Sequence, residues 1–220
     1  MADLKVKLNN VRAFFPKYFK GQEEPFANKG DAYYSGSFGF ARDHADLPQL
    51  REAIVAAAKA KWPTQWEAML LEFKAKDKLP VHDGDVKASK PYGAAYAGKL
   101  YLSARNNAKT NPAVPVFDTV IDPATGQARE IKDLNDKFAP YSGCMVNVYV
   151  NLFGYSKDGG MGIGASIAGV QVIRNAEGTG LVGERLAGGV QSTAADYEAI
   201  PAKADDKTAV ASTGSAANLF

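Results

Sequence analysis

The sequence predicts a mainly β chain: a small antiparallel barrel with a two-helix insertion, followed by a flexible C-terminal tail. Three observations carry that expectation. About five segments alternate apolar and polar residues with the period of two that a half-buried strand requires. A single alanine-rich stretch changes to helical spacing. Strands and helices do not alternate along the chain, so the parallel-sheet folds built from strand–helix–strand units are excluded.

In the first segment Leu4, Val6 and Leu8 alternate with Lys5 and Lys7, and Val11 to Phe15 resumes extended chemistry. A second strand runs from Tyr33 to Ala41, with a Lys-, Gly- and Phe-rich loop from Pro16 to Gly30 between them. Asp46 suits a helix N-cap and Pro48 the first turn; Leu50, Ile54, Ala57 and Ala58 then follow on one face as far as Trp62. A second helix starts at Pro63 and places Trp66, Leu70 and Phe73 together. This pair is too apolar on one side to stand free and must pack on the barrel. Residues 77–98, with Pro80, Gly84, Pro91, Gly93 and Gly98, read as a long exposed loop. Strands return at Lys99–Arg105, Val114–Ile121 and, after the turn at Asp122-Pro123, Ala128–Ile131. The strongest strand patterns come last, at Gly143–Tyr155 and Gly162–Arg174. The body is thus one domain over 1–186, and the long loops match the OB-fold version of a small barrel. Residues 187–220, rich in Ala, Ser, Thr, Gly and Asp, offer too little apolar surface to offset the entropy of ordering.

Composition narrows the function. One cysteine, Cys144, cannot form an internal disulfide, and with only His44 and His82 no cysteine- or histidine-built metal site is expected. No apolar run approaches the roughly 20 residues that cross a bilayer, and no secretory leader pattern opens the chain, so a cytosolic protein is expected. The net charge of +2 conceals an asymmetry: residues 1–110 carry 18 Lys and Arg against 12 Asp and Glu, whereas residues 186–220 carry 2 against 4. A basic body with a mildly acidic end suits a polyanion binder.

The strand at 99–105 sends Leu100, Leu102 and Ala104 to one face and Lys99, Tyr101, Ser103 and Arg105 to the other. Cations that neutralise phosphates, in line with a ring on which any base can stack, are what a single nucleic-acid strand needs. The strand at 143–155 repeats the division, with Val146, Val148, Val150 and Leu152 opposite Tyr149 and Phe153. Those two rings either bind a ligand or form a second core layer beneath the helices. Two loop clusters join the candidates: Tyr18 with Lys17, and Tyr92 with Lys90. Phe14 and Phe15 read instead as loop anchors. Rings interleaved with lysines favour single strands over duplexes, whose bases hide their faces. His82-Asp83-Gly84-Asp85 is read as a solvated turn in preference to a cation site, and the glycines from Gly159 to Gly164 as a hairpin, because no helix follows them.

Three stretches then carry a resemblance: Tyr141-Ser142-Gly143-Cys144 opening a long strand, Lys157-Asp158-Gly159-Gly160-Met161-Gly162-Ile163 as turn and next strand, and Ala168-Gly169-Val170-Gln171-Val172-Ile173-Arg174 closing it. With Leu4 to Tyr18 and the segment from Asp122-Pro123, the chain resembles the phage-encoded OB-fold single-stranded DNA-binding proteins. The resemblance implies sequence-independent coating of single strands in phage replication and recombination in the host cytoplasm, with no catalysis and no cofactor. It also implies a tail that recruits replication proteins, for which Leu219 and Phe220 form the hydrophobic tip. Strongly acidic tails are the usual pattern, and here Lys203 and Lys207 offset part of the acid. The rival reading is a phage structural or scaffolding protein that uses the same aromatic face for protein contacts; a nuclease built on Asp83 and Asp85 is the third.

Overall fold

A computed structural model describes residues 4–25, 32–90, 93–157 and 160–186. Alternation of small polar and apolar residues sets its long strands: β1 (Lys5–Lys17), β3 (Ala32–Ala41), β5 (Lys99–Asn107), β8 (Met145–Lys157) and β9 (Gly160–Val172). Shorter pieces are β2 (Glu24–Pro25), β4 (Val81–Asp83), β6 (Val116–Ile121) and β7 (Ala128–Glu130). These nine strands of the described residues form one sheet in the order β4-β5-β3-β1-β8-β9-β6-β7, with β2 on β3. The five long strands therefore follow the order third, second, first, fourth, fifth, which is an OB-type barrel once the third meets the fifth.

That meeting is made by a side chain. Asn106 of β5 is buried; its amide donates to the Ile167 carbonyl at 2.8 Å and accepts from the Ile167 N–H at 2.7 Å. Ile167 can turn both groups toward β5 because the β8–β9 register slips there, Tyr149 facing Gly169 and Val150 facing Ile167. Asn106 thus does for β9 what another strand's backbone would do. The earlier half of β5's free edge is taken by β4, where Val81 faces Leu102 and Asp83 faces Leu100.

Val6, Leu8, Val11, Phe38, Leu102, Val146, Val148, Val150, Leu152, Ile163 and Ile167 fill the interior. The helices α1 (Leu47–Lys61) and α2 (Trp66–Ala75) add Leu50, Ala57, Ala58, Met69 and Phe73. Asp46 stands at the N-cap position, but its carboxylate makes no cap bond; it accepts from the Asn9 N–H at 2.7 Å, at a bulge in β1. A strand with an extra residue leaves an N–H unpaired, and Asp46 satisfies it. No helix of the described residues is long and apolar enough to cross a membrane.

Two expectations change. Residues 77–90 and 93–98 are not an irregular loop: within them lie β4, a short helix α3 (Asp85–Ala88) and a 3₁₀ turn (Gly93–Tyr96), which pack along β5. Gly84 and Gly93 permit this by close approach, since a Cβ on Gly84 would collide with the Tyr96 carbonyl and one on Gly93 with that of Lys87. Tyr18, read as a loop binder, lies in the core without exposed surface, its hydroxyl beside Gly36 and lacking a hydrogen-bond partner. Its ring is bulky enough to fill the barrel end, and no base can reach it.

The β6–β7 hairpin is fastened by charge. The fully buried Asp118 carboxylate accepts two hydrogen bonds from Arg129 and two from Arg174, and Arg129 also pairs with Asp136 at 2.6 Å. Burial alone would raise the Asp118 pKa, but the hydrogen bonds from Arg174 and Arg129 outweigh it and hold the carboxyl below its usual value.

Asn106→Ala would orphan the Ile167 N–H and carbonyl, each costing about 1–3 kcal/mol. A lower urea midpoint with an unchanged slope is expected, and Asn106→Asp should cost more because a carboxylate would face that carbonyl. For Asp118 the folded pKa is the depressed one. Its contribution is therefore full above the unfolded carboxylate value and is lost as pH falls through the lowered folded value. Acid unfolding followed by circular dichroism should show this loss, and Asp118→Asn should flatten that part of the curve while lowering stability at neutral pH.

Candidate nucleic-acid interface

On the outer side of β1, β3 and β5 lies a groove of about 360 Å³. Its floor is small and polar, made by Ser35, Gly36 and Ser37 of β3 with Ser103 and Ala104 of β5. Lys17, Lys87 and Arg105 surround it together with Phe14, Phe15 and Tyr96, and no carboxylate lines it.

Strand alternation explains the floor: Tyr34, Phe38 and Leu102 take the barrel side, so Ser35, Ser37 and Ser103 face out. A bulge explains the ring at the rim. Between Phe14 and Lys17, β1 carries one residue more than β3, which throws Phe15 outward. Its φ of 48° is the left-handed region, unusual for a bulky side chain. Its N–H donates to the Ser142 hydroxyl at 3.2 Å, and 38 % of the residue stays exposed. Strain of this kind is kept where the surroundings enforce it, commonly at binding sites.

Behind the groove Phe14, Tyr96 and Tyr101 form a small core of their own. Phe14 and Tyr96 lie 4.2 Å apart between ring centroids, and His82 stacks on Tyr101 at 5.0 Å. Lys87 spans this cluster, its ammonium 4.1 Å from the Tyr101 centroid and 4.9 Å from that of Tyr96. Burial first, and then the positive charge of Arg105, lower the Lys87 pKa. The opposite charge of an anion would offset both effects.

Of the residues singled out in the sequence, Lys17 and Arg105 meet in this groove. Tyr101 is their neighbour but only 7 % exposed, so its ring supports Lys87 and is not an open platform. The reason is the 77–98 cover, which places His82 and Tyr96 on it. Lys99 is half-buried at the other end of β5, its carbonyl accepting from the Gly84 N–H. Lys90 is exposed in the cover, outside the groove lining. Tyr149 and Phe153 are exposed on the outer face of β8. The helices pack on its aliphatic side, where Gly154 meets Lys61 and Trp62, so the two rings are not a second core layer. Tyr92, Leu219 and Phe220 lie outside the described residues.

Lys87 and Phe15 are the contributors that sequence reasoning missed. Lys87 is one of several lysines in 77–98 that no local pattern singles out, and nothing local announces the bulge that turns Phe15 out to the rim while Phe14 packs against Tyr96. The acidic pair Asp83 and Asp85 clasps Arg42, at 2.6 and 2.8 Å, and ties the cover to the end of β3. No group of three or more metal-ligating side chains occurs among the described residues. Cys144 is buried, its thiol pushed up to about 11 by desolvation.

Comparison with known proteins agrees with the fold and gives the family. A family described as the ssDNA-binding protein of Enterobacter phage Enc34 matches residues 4–208. Putative protein p50 of Acyrthosiphon pisum secondary endosymbiont phage 1 is 33 % identical over 177 residues, covering 79 % of this chain and 85 % of that protein. Among solved structures, the single-stranded DNA-binding protein from bacteriophage Enc34 in complex with ssDNA superposes with a TM-score of 0.57 at 20 % identity, over 77 % of this chain and 86 % of that one. The single-stranded DNA-binding protein gp2.5 of bacteriophage T7 gives 0.51 at 13 % identity, over 88 % and 100 %.

Lysine side-chain NMR titration should place Lys87 below the ordinary 10.5. Arg105→Ala, by removing a like charge, should move it upward; no movement would mean that the two cations do not share the groove.

Proposed function

Because the chain belongs to the family of the Enc34 phage ssDNA-binding protein, we propose that it coats single-stranded DNA without regard to sequence, and that the groove on β1, β3 and β5 is where the strand is held. The observation that carries the reading is three cations, Lys17, Lys87 and Arg105, around a serine and glycine floor with the partly exposed ring of Phe15 at its rim. Phosphates meet the cations; a base meets Phe15; the floor admits the backbone without reading any base edge. The groove lies where OB barrels bind oligonucleotides, across the second and third strands. Binding draws no energy from bond chemistry, so no catalytic step belongs to the reading. Its finer parts are action in phage replication and recombination in the host cytoplasm, and recruitment of replication proteins through Leu219 and Phe220. The first is supported by the family match, and the second by Leu219 and Phe220 as an apolar pair within a segment rich in Ala, Ser, Thr, Gly and Asp.

Oligothymidylate binding measured over a salt series should fall linearly in log–log form. Lys17→Ala, Lys87→Ala and Arg105→Ala should each reduce the slope by about 0.7, the value for one single-strand phosphate contact. Phe15→Gly should weaken binding by about 1–3 kcal/mol, the cost of one lost stack. It should leave thermal stability unchanged or higher, because glycine accepts the positive φ without strain. Equal affinity for duplex and single strands at moderate salt would overturn the assignment.

A further inference from the structure

A second array of rings and cations lies away from the groove, on the outer face where β1, β8 and β9 run side by side. Tyr149 and Phe153 are 41 % and 42 % exposed, two rings four residues apart on the outward face of one strand, β8. The ammonium groups of Lys5 and Lys7 on β1 lie 4.8 and 5.8 Å from the Tyr149 ring centroid. Register explains the grouping: Lys7 faces Tyr149 across one pair of strands, and Tyr149 faces Gly169 across the next.

The strand beyond the rings is cut low. Phe153 faces Gly164 and lies over it, so that a Cβ there would fall 2.8 Å from the ring. A Cβ on Gly169 would touch only the Pro115 carbonyl at 3.7 Å and the Phe117 ring at 4.0 Å, which leaves an open depression beside Tyr149. Neither β8 nor β9 contains an Asp or Glu. Flat rings over a glycine floor, cations to one side and no carboxylate on either central strand are complementary to a polyanion that carries flat apolar groups. A protein interface would also favour Tyr and Phe, but its centre is depleted in lysine, whereas here two lysine ammonium groups stand over the Tyr149 ring.

We propose that this face is a second contact surface for single-stranded DNA, on which bases stack against Tyr149 and Phe153 while Lys5 and Lys7 meet the phosphates. The inference rests on the single-strand reading above and extends it: β1 presents the groove at its Phe15 end and this surface at its Lys5 end, so one long strand can follow the barrel from one to the other.

The test uses the full chain and oligothymidylates of about 4 and about 16 nucleotides, the ends of the range for one OB fold. Tyr149→Leu and Phe153→Leu should each lower affinity for the long strand about tenfold, the effect of one lost stack. Affinity for the short strand, held in the groove, should change less than twofold. Tyr149→Phe and Phe153→Tyr should keep full binding, because a ring remains. Lys5→Ala and Lys7→Ala should each reduce the salt slope by about 0.7 for the long strand only. Circular dichroism melting shows whether each variant is folded, and sedimentation of the free protein reads its mass. Unchanged long-strand affinity in the folded leucine variants would overturn the proposal while leaving the groove reading intact. So would a fall in mass of those variants with unchanged DNA binding, which would make the face a contact between copies. If the unaltered protein binds neither oligonucleotide, the single-strand reading itself falls.

Discussion

The two hydrogen bonds between Asn106 and Ile167 are the constraint on which the rest of this fold depends. A five-stranded barrel of this order must join its third strand to its fifth, and among the described residues no backbone ladder does so. β9 must also pair with β8 along its whole length, accept β6 in parallel near Val170, and take a bond from Ile163 to the Lys78 carbonyl. Its second edge is therefore divided among several partners, and a side chain that offers one donor and one acceptor in a single plane closes the remaining gap. The groove floor lies on the barrel so closed: the β3–β5 ladder sets Ser37 opposite Ser103 and Ser35 opposite Arg105.

A second consequence concerns how the molecule uses its aromatic residues. The outside of the barrel carries a small core of its own, Phe14, Tyr96 and Tyr101, roofed by residues 77–98 and held down by Arg42 on Asp83 and Asp85. This layer holds Lys87 half-buried against two rings and close to Arg105, at a cost in desolvation and like-charge repulsion. A protein seeking only stability would not keep such a cation there. On the proposed reading, the attraction between a bound phosphate and the two cations would offset that cost.

Phe15 and Phe153 show two ways of presenting a ring. Phe15 is held out by a bulge and a positive φ, with its amide on Ser142. Phe153 needs no strain, because the glycine opposite leaves the space over which it lies. For Phe153 the contact over Gly164 restricts the ring, which would lower the entropic cost of the stacking proposed above.

Much of this was legible in the sequence. Period-two alternation depends only on the chain's own pleat, so the inward set Val146, Val148, Val150 and Leu152 and the outward set containing Tyr149 and Phe153 could be read directly, as could both helices and the barrel class. The bulges in β1 were not legible, because an extra residue leaves the local composition unchanged and shifts only the partner. Nor was the burial of Tyr18, since a lysine-flanked tyrosine looks the same whether its ring faces water or the barrel end. The clearest contrast is between Tyr101 and Tyr149. Each lies on the outward face of a strand whose other face is aliphatic, yet Tyr101 is 7 % exposed and Tyr149 41 %. The chain alone determines that both rings point away from the core. Which of them water can reach is decided by residues distant in sequence, for His82, Lys87 and Tyr96 pack on Tyr101 whereas Tyr149 is met by the ammonium groups of Lys5 and Lys7, and contacts of that range leave no periodic trace in either strand.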